Sequence, residues 1–328
     1  MISLKQISLR TIQSKDISMR IAEADATGGK GPVVLFLHGW PESWYSWRHQ
    51  ITALANAGYR VIAPDMPGFG GTDALPRMED YNAINISGYI AGLLDALEQK
   101  SVILIAHDWG AVISWSLVKL HPKRFSRLVI LSFPYPGHPE IPPMVAARKA
   151  LGDRFFYQLY FQTPKIPEAE LDGNPAALFR RLYCSPDTKR HEPIIKDSHK
   201  DAGGWIDRLG EPLETIPWFT AEDLEYYVKE YSRAGFHGGI NYYRNIDKNW
   251  EIMAPYADQA IEIPTLFMAG DKDFVIGRAT REDLLASMKK GVPNLKDVVI
   301  LPGIGHWIQQ EAPEQVNKAI LGFLPEIL

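Results

Sequence analysis

Short runs of apolar residues alternate with stretches of helical periodicity along much of this 328-residue chain, and this alternation constrains the fold more than any other feature. A short run that is apolar throughout is typical of a strand buried on both faces of a parallel sheet. The sequence predicts such strands at residues 33–37, 59–63, 102–106, 128–133, 265–269 and 298–301.

Helices are predicted between these strands, where apolar residues recur at every third or fourth position. Their ranges are 47–57, 84–98, 111–120, 282–290 and 313–323. Residues 2–12 and 17–24 alternate between apolar and polar side chains instead, which predicts an antiparallel strand pair at the start of the chain. We therefore expect an α/β fold with a mostly parallel, doubly wound sheet.

The alternation stops for a long stretch in the middle of the chain. This stretch has helical segments, many aromatic residues and frequent Pro and Gly, but no run that looks like a buried strand. We predict that residues 1–135 and 249–328 form the core and that residues 136–248 form an inserted helical cap. Such an insertion is expected over the carboxyl ends of the strands, where ligands bind in sheets of this kind.

Charge and composition argue against several functional classes. Lys and Arg total 35 against 39 Asp and Glu, a net charge of −4, which gives no sign of binding to nucleic acid or to an acidic membrane surface. The single cysteine, Cys184, cannot form an internal disulfide, and no apolar stretch reaches the length of a membrane span. We expect a cytoplasmic monomer or homodimer that acts on a small molecule.

The turn after the predicted strand at residues 102–106 has the form of a nucleophile elbow. Ala106 and Gly110 are small residues at its corners, and they allow a strand-to-helix turn sharp enough to expose the residue at its centre. That residue is Asp108, and carboxylates do act as covalent nucleophiles. The sequence leaves one alternative open, in which Asp108 only caps the following helix.

Two other strand ends carry the partners that such a nucleophile requires. Asp273 follows the predicted strand at 265–269, and His306 follows the one at 298–301. The chain order of nucleophile, acid and histidine is the order found in enzymes with this elbow. His107, beside the nucleophile, is expected to point away and pack.

A fourth motif, His38-Gly39-Trp40-Pro41, directly follows the predicted strand at 33–37. A turn of this kind can present the backbone N–H of Trp40 to a developing oxyanion, with the N–H of Trp109 as the second donor. The alternative is an ordinary turn that needs Gly and Pro for its backbone shape.

Taken together, these motifs resemble the α/β-hydrolase fold and, within it, the α/β-fold epoxide hydrolases. The resemblance covers most of the chain. It implies a cis peptide bond between Trp40 and Pro41, and it implies that two tyrosines of the predicted cap take part in catalysis. Position by position, these tyrosines are Tyr157 and Tyr243, with Tyr160 and Tyr242 as the alternatives.

The resemblance implies hydrolysis of a small apolar or aromatic epoxide to a vicinal diol through an ester on Asp108, without a metal or an organic cofactor. The alternative is a haloalkane dehalogenase that uses the same nucleophile, with the Trp109 indole holding the halide. The tyrosine pair argues against it, because phenols suit a leaving oxygen that must be protonated. A serine esterase is disfavoured because the chain has no Gly-x-Ser-x-Gly elbow. An inactive binding protein would be expected to have lost a member of the triad.

Overall fold

The computed structural model of the protein describes residues 2–325 and has an eight-stranded sheet with helices on both faces, the doubly wound α/β architecture that the sequence predicts. The strands are β1 (Ser8–Ser14), β2 (Ile17–Asp25), β3 (Val33–Leu37), β4 (Arg60–Pro64), β5 (Val102–His107), β6 (Phe125–Leu131), β7 (Thr265–Gly270) and β8 (Leu295–Leu301). Their order in the sheet is β1-β2-β4-β3-β5-β6-β7-β8. β2 pairs antiparallel with β1 and β4, and the other pairs are parallel.

The strand predictions are confirmed in number and order but not at every boundary. The strand predicted at residues 2–12 is wrong in its first part, because Leu4–Gln6 forms a 3₁₀ turn in which the Gln6 side chain caps the backbone of Ser3. β6 begins three residues before its predicted start, at Phe125. The polar pair Ser126 and Arg127 interrupts the apolar run there, which hides the strand from a search for continuous apolar residues.

The core helices pack on the sheet in two layers, so the strands are buried on both faces. They are α1 (Arg48–Asn56), α2 (Ala83–Ala96), α3 (Trp109–Leu120), α11 (Arg281–Met288), α12 (Ile308–Glu311) and α13 (Pro313–Phe323). α1 and α13 bury their apolar residues in a cluster on one face of the sheet, while α2, α3 and α11 pack into the cluster on the other.

The chain between β6 and β7 contains seven α-helices and, in the described residues, no strand. We call the part of it from residue 136 to the end of the last of these helices the helical insert. The helices are α4 (Pro143–Leu151), α5 (Tyr157–Tyr160), α6 (Ile166–Gly173), α7 (Pro175–Leu182), α8 (Ala221–Ala234), α9 (His237–Arg244) and α10 (Ile246–Met253). The cap boundary predicted at residue 248 falls inside α10. No helix in residues 2–325 is both long and apolar enough to cross a membrane.

Tyrosine hydroxyls join the helical insert to the loops that follow β3 and β4. Tyr183 donates to the carbonyl of Pro41 at 2.8 Å, and Tyr242 donates to that of Pro67 at 3.0 Å. The insert therefore lies over the carboxyl ends of the parallel strands, where side chains from several loops converge.

Candidate active site

Asp108 occupies the turn between β5 and α3 in a conformation that few residues adopt. Its φ is 48° and its ψ is −118°, and its side chain makes no capping hydrogen bond to the helix. The helix-cap alternative is therefore wrong. A Cβ at Gly110 would lie 2.2 Å from the carbonyl oxygen of Leu37, so only glycine fits where α3 passes β3. The carboxylate of Asp108 is left facing the helical insert, as the elbow motif predicts.

The turn after β3 brings a backbone donor to this carboxylate. The N–H of Trp40 donates to Asp108 Oδ1 at 2.7 Å, and the Trp40–Pro41 peptide bond is cis. A Cβ at Gly39 would lie 2.3 Å from the same oxygen, so glycine is required for this close approach. Among the hydrogen bonds of the described residues, none joins the N–H of Trp109 to this carboxylate, and its part in an oxyanion hole stays a prediction.

His38 fixes the turn after β3 through two hydrogen bonds of its ring. Its Nε2 accepts a hydrogen bond from the N–H of Met66 at 2.9 Å, which leaves Nδ1 to donate to the carbonyl of Gly39 at 2.8 Å. The ring is fully buried, and burial lowers its pKa. A neutral imidazole is the form that can make both bonds.

The loops after β7 and β8 bring Asp273 and His306 to the same place. His306 Nε2 lies 3.5 Å from Asp108 Oδ2, and His306 Nδ1 lies 3.0 Å from Asp273 Oδ2. Asp273 is 1% exposed and His306 9% exposed, while the Asp108 side chain is 16% exposed, so the three form a largely buried acid–imidazole–acid series. The structure thus brings together the three residues that the sequence analysis singled out after separate strands.

Charge holds the three groups in defined protonation states. Burial by itself would lower the pKa of His306, but the carboxylates of Asp273 and Asp108 outweigh it and raise that pKa well above its usual value. Burial would raise the pKa of each carboxyl group, yet His306 lowers both. The free site therefore favours two carboxylates with an imidazolium between them.

Tyr157 and Tyr243 lie together above this series, on α5 and α9. Their ring centroids are 5.7 Å apart, and the Tyr243 ring lies 4.9 Å from that of Trp109 and 5.7 Å from that of Trp40. Burial raises the pKa of both phenols, and the nearby charge of Asp108 adds to this rise. They remain protonated and able to donate a hydrogen bond.

The alternative tyrosines have other partners. Tyr160 donates to Glu170 Oε2 at 2.9 Å within the helical insert. Tyr242 is fully buried, and its hydroxyl is bound to the Pro67 carbonyl. Neither hydroxyl is directed to Asp108, so this geometry favours the assignment of the two donors to Tyr157 and Tyr243.

The chain is similar to several known proteins. The model for the alpha/beta hydrolase fold matches residues 32–163. Epoxide hydrolase A of Mycobacterium tuberculosis is 40% identical over 96% of both chains, and Epoxide hydrolase 1 of Siraitia grosvenorii is 39% identical over 98% of this chain and 100% of that one. The crystal structure of Epoxide Hydrolase A from Mycobacterium thermoresistibile superposes with a TM-score of 0.89 at 39% identity, covering 97% of this chain and 98% of that one.

The chain belongs to the epoxide hydrolase family of the α/β-hydrolase fold. The family resemblance seen in the sequence is thereby confirmed. The dehalogenase alternative is not favoured, since the relatives at 34–40% identity are named as epoxide hydrolases.

Sequence reasoning missed a buried polar cluster below the site of this epoxide hydrolase family member. Glu42, which follows the His-Gly-Trp-Pro motif, is fully buried and lies 2.9 Å from His107 Nδ1. Gln309 Nε2 donates to Glu42 Oε1 at 2.9 Å. His107 is buried as expected, and its Nε2 bonds the carbonyl of His306 at 2.8 Å. In the sequence, the signal that could have revealed this cluster was the charged residue Glu42 directly after the His-Gly-Trp-Pro motif.

Sequence reasoning also missed a polar neighbour of one tyrosine. Gln158 Nε2 donates to the hydroxyl oxygen of Tyr157 at 3.0 Å. This bond directs the phenolic hydrogen away from Gln158. Helical periodicity does not reveal such a bond, because adjacent residues on a helix normally point in different directions.

Proposed function

We propose that this protein hydrolyses a small apolar or aromatic epoxide to a vicinal diol through an ester on Asp108. One observation carries the proposal: Asp108 has one carboxylate oxygen held by the Trp40 N–H and the other facing His306, below the adjacent phenols of Tyr157 and Tyr243. A nucleophile, a base for water and two acid groups are the parts that this reaction needs.

In the first step, Asp108 Oδ2 attacks one carbon of the epoxide ring from the side opposite the oxygen. The carbon–oxygen bond breaks, and the ring oxygen leaves with the electron pair. Tyr157 and Tyr243 donate hydrogen bonds to that oxygen as the charge develops, and one of them gives it a proton. The tyrosinate left behind is reprotonated with the proton that the His306 imidazolium releases once Asp108 is neutral. The raised pKa values of the two phenols support this role, because a phenol that stays protonated is ready to donate.

In the second step, water attacks the ester carbonyl of Asp108 while His306 takes a proton from it. Ester formation neutralises Asp108, which removes one of the two negative charges that raise the pKa of His306. The pKa of His306 therefore falls in the ester, and the ring, having lost its proton, can act as a base. Asp273 orients the ring and stabilises the positive charge that forms. Oδ1, which the Trp40 N–H holds, becomes the oxyanion. When this intermediate collapses, the bond between Cγ and Oδ2 of Asp108 breaks, the diol leaves with a proton from His306, and the new carboxylic acid returns its proton to the imidazole.

We propose that the helical insert, over the predicted range 136–248, serves as a cap that encloses the substrate. Trp205 of the insert stacks on Trp40 with ring centroids 5.7 Å apart and on Tyr157 at 4.9 Å. Phe161 packs against the Trp205 indole, with ring centroids 5.5 Å apart. These rings support an apolar or aromatic substituent on the epoxide. We also propose that the protein is located in the cytoplasm and is a monomer or a homodimer.

The test is His306→Gln mixed with styrene oxide and measured by intact-protein mass spectrometry. We expect an added mass equal to one epoxide on the peptide that contains Asp108, with no release of diol, because only the water step needs His306. The double variant Asp108→Ala/His306→Gln is the matched control and should stay unmodified. A His306→Gln protein that binds styrene oxide without forming the adduct would contradict the nucleophilic role.

A further inference from the structure

The carboxylate of Glu311 binds the backbone on both sides of His306. Glu311 is the last residue of α12, and its side chain turns back toward the loop after β8. Oε2 accepts the N–H of Gly305 at 3.1 Å, and Oε1 accepts the N–H of Trp307 at 3.0 Å. Bonds from amides to a charged acceptor are stronger than neutral ones. One side chain therefore fixes the two peptide groups that flank His306.

The same loop is fixed at two more points. The carbonyl of His306 accepts from His107 Nε2 at 2.8 Å and from Ser132 Oγ at 2.9 Å. The ring Nδ1 is bound to Asp273. All of these partners belong to the core. Glu311 differs from them, because it also contacts the helical insert.

Ser185 of the insert donates to Glu311 Oε2 at 3.0 Å, and its oxygen accepts from Trp218 Nε1 at 2.9 Å. The next residue, Pro186, packs on the loop: a Cβ at Gly305 would lie 2.6 Å from its Cδ and 2.8 Å from Glu311 Oε1. The position of the insert is thus joined to the backbone of His306 through one carboxylate.

The charge of Glu311 is placed to favour proton uptake by His306. Burial raises the pKa of the Glu311 carboxyl group, while the amides of Gly305 and Trp307, the Ser185 hydroxyl and the nearby imidazole oppose the rise. Attraction between this carboxylate and His306 increases as the imidazole takes a proton from water. The attraction therefore favours ester hydrolysis, the step in which His306 takes a proton from water.

We propose that Glu311 is a positioning residue for the second chemical step, holding His306 in reach of the ester on Asp108 and tying that position to the seating of the helical insert. The inference rests on the proposed function. Alkylation of Asp108 uses the tyrosines and not His306 as a base. Loosening the loop should therefore slow hydrolysis of the ester and leave its formation unchanged.

A selective loss of the second step has a kinetic signature. When ester hydrolysis alone becomes slower, kcat and KM fall by the same factor, kcat/KM stays constant, and the ester accumulates. A general defect in folding lowers the amount of active enzyme without changing KM or the fraction of active enzyme held as ester. Displacement of a catalytic group by about 1 Å can cost roughly 10²-fold in rate, which bounds the effect.

The experiment compares full-length Glu311→Ala, Glu311→Gln and the control Glu314→Ala, an exposed carboxylate on the next helix. Styrene oxide is the substrate, and acid quench followed by intact-mass measurement gives the ester fraction. We expect Glu311→Ala to lose about 10- to 100-fold in both kcat and KM with a raised ester fraction. Glu311→Gln keeps one acceptor oxygen and should lose less, and Glu314→Ala should match the parent protein.

Ser185→Ala is the second, milder variant and keeps the inference testable if Glu311→Ala does not fold. It should raise the ester fraction in the same direction, by a few-fold at most, because the two amide bonds of Glu311 remain. Unchanged ester fractions in Glu311→Gln and Ser185→Ala would overturn the inference, as would a fall of kcat/KM equal to the fall of kcat. Failure of the proposed function is separate: it would appear as no ester in His306→Gln, where Glu311 is intact.

Discussion

The two halves of the site are held in different ways. In the core half, Asp108, Asp273 and His306 are joined by charge and by hydrogen bonds, with His306 Nδ1 3.0 Å from Asp273 Oδ2. In the insert half, Tyr157 and Tyr243 sit among aromatic rings, and no ion pair of the described residues includes them. The core half is ionised, whereas the insert half is neutral.

This difference shows how one site can hold the proposed nucleophile and the proposed acids together. Pairing with an imidazolium keeps the carboxylates of the core half charged in spite of burial. The same burial, without a compensating positive charge, keeps the phenols of the insert half protonated. The protonation states of the two halves therefore differ because of the partners each half provides rather than because of exposure to solvent.

The largest effect is expected from removal of the nucleophile in the core half. Asp108→Ala should lower the rate of diol formation by on the order of 10⁴–10⁶, because the carboxylate itself forms the bond to carbon. Product analysis with styrene oxide measures this rate. Asp258→Ala, an exposed carboxylate, is the control and should retain activity. Diol formation near the parent rate by a natively folded Asp108→Ala protein would contradict the division of roles.

An intermediate effect is expected from the insert half. Tyr157→Phe or Tyr243→Phe should slow ester formation by about 10²–10³, the usual cost of losing one donor to a developing oxyanion, or less where the other phenol compensates. The double variant should be nearly inactive in single-turnover measurements of the ester.

Tyr160→Phe and Tyr242→Phe are matched controls for the two tyrosines, since their hydroxyls bind Glu170 and the Pro67 carbonyl. Both should form the ester at close to the parent rate, with a small loss of stability. If they, and not the first pair, lose ester formation, the donors have been assigned to the wrong side chains.

The smallest effect is a pH dependence of stability that belongs to the core half alone. The pKa of His306 is raised in the folded protein, so its stabilising proton is fully bound below the unfolded pKa of about 6.5 and is lost as the pH rises through the folded value. The parent protein should therefore lose unfolding free energy relative to His306→Gln above about pH 6.5, with a slope of at most about 1.4 kcal/mol per pH unit.

Urea unfolding of the two proteins over a pH series measures this difference. Tyr157→Phe/Tyr243→Phe is the control from the insert half, and it should differ from the parent protein by a constant amount over this range, because the two phenols that it removes stay protonated in the parent protein. Parallel curves for the parent protein and His306→Gln would contradict the ion-paired description of the core half.

The sequence alone was sufficient to predict the sheet and to place the residues of the core half after its strands. Each of Asp108, Asp273 and His306 lies in the turn or loop after a strand that local apolar patterning predicts, and parallel strands bring their carboxyl ends to one edge. Boundaries were less accurate where polar residues lie near the start of a strand, as at Ser126 in β6, because the strand there depends on pairing with β5 and not on the local apolar pattern.

The surroundings of the tyrosines and of Glu311 depend on tertiary packing and could not be predicted from the sequence. Composition and spacing allow Tyr160 and Tyr242 as readily as their neighbours, and only packing against Glu170 and Pro67 directs those hydroxyls away from Asp108. Glu311 and Ser185 are 126 residues apart, so no local periodicity records their hydrogen bond. Repeating patterns arise where a side chain's surroundings follow from its own strand or helix. A contact between distant segments depends on how those elements pack, and that is settled only when the whole chain folds.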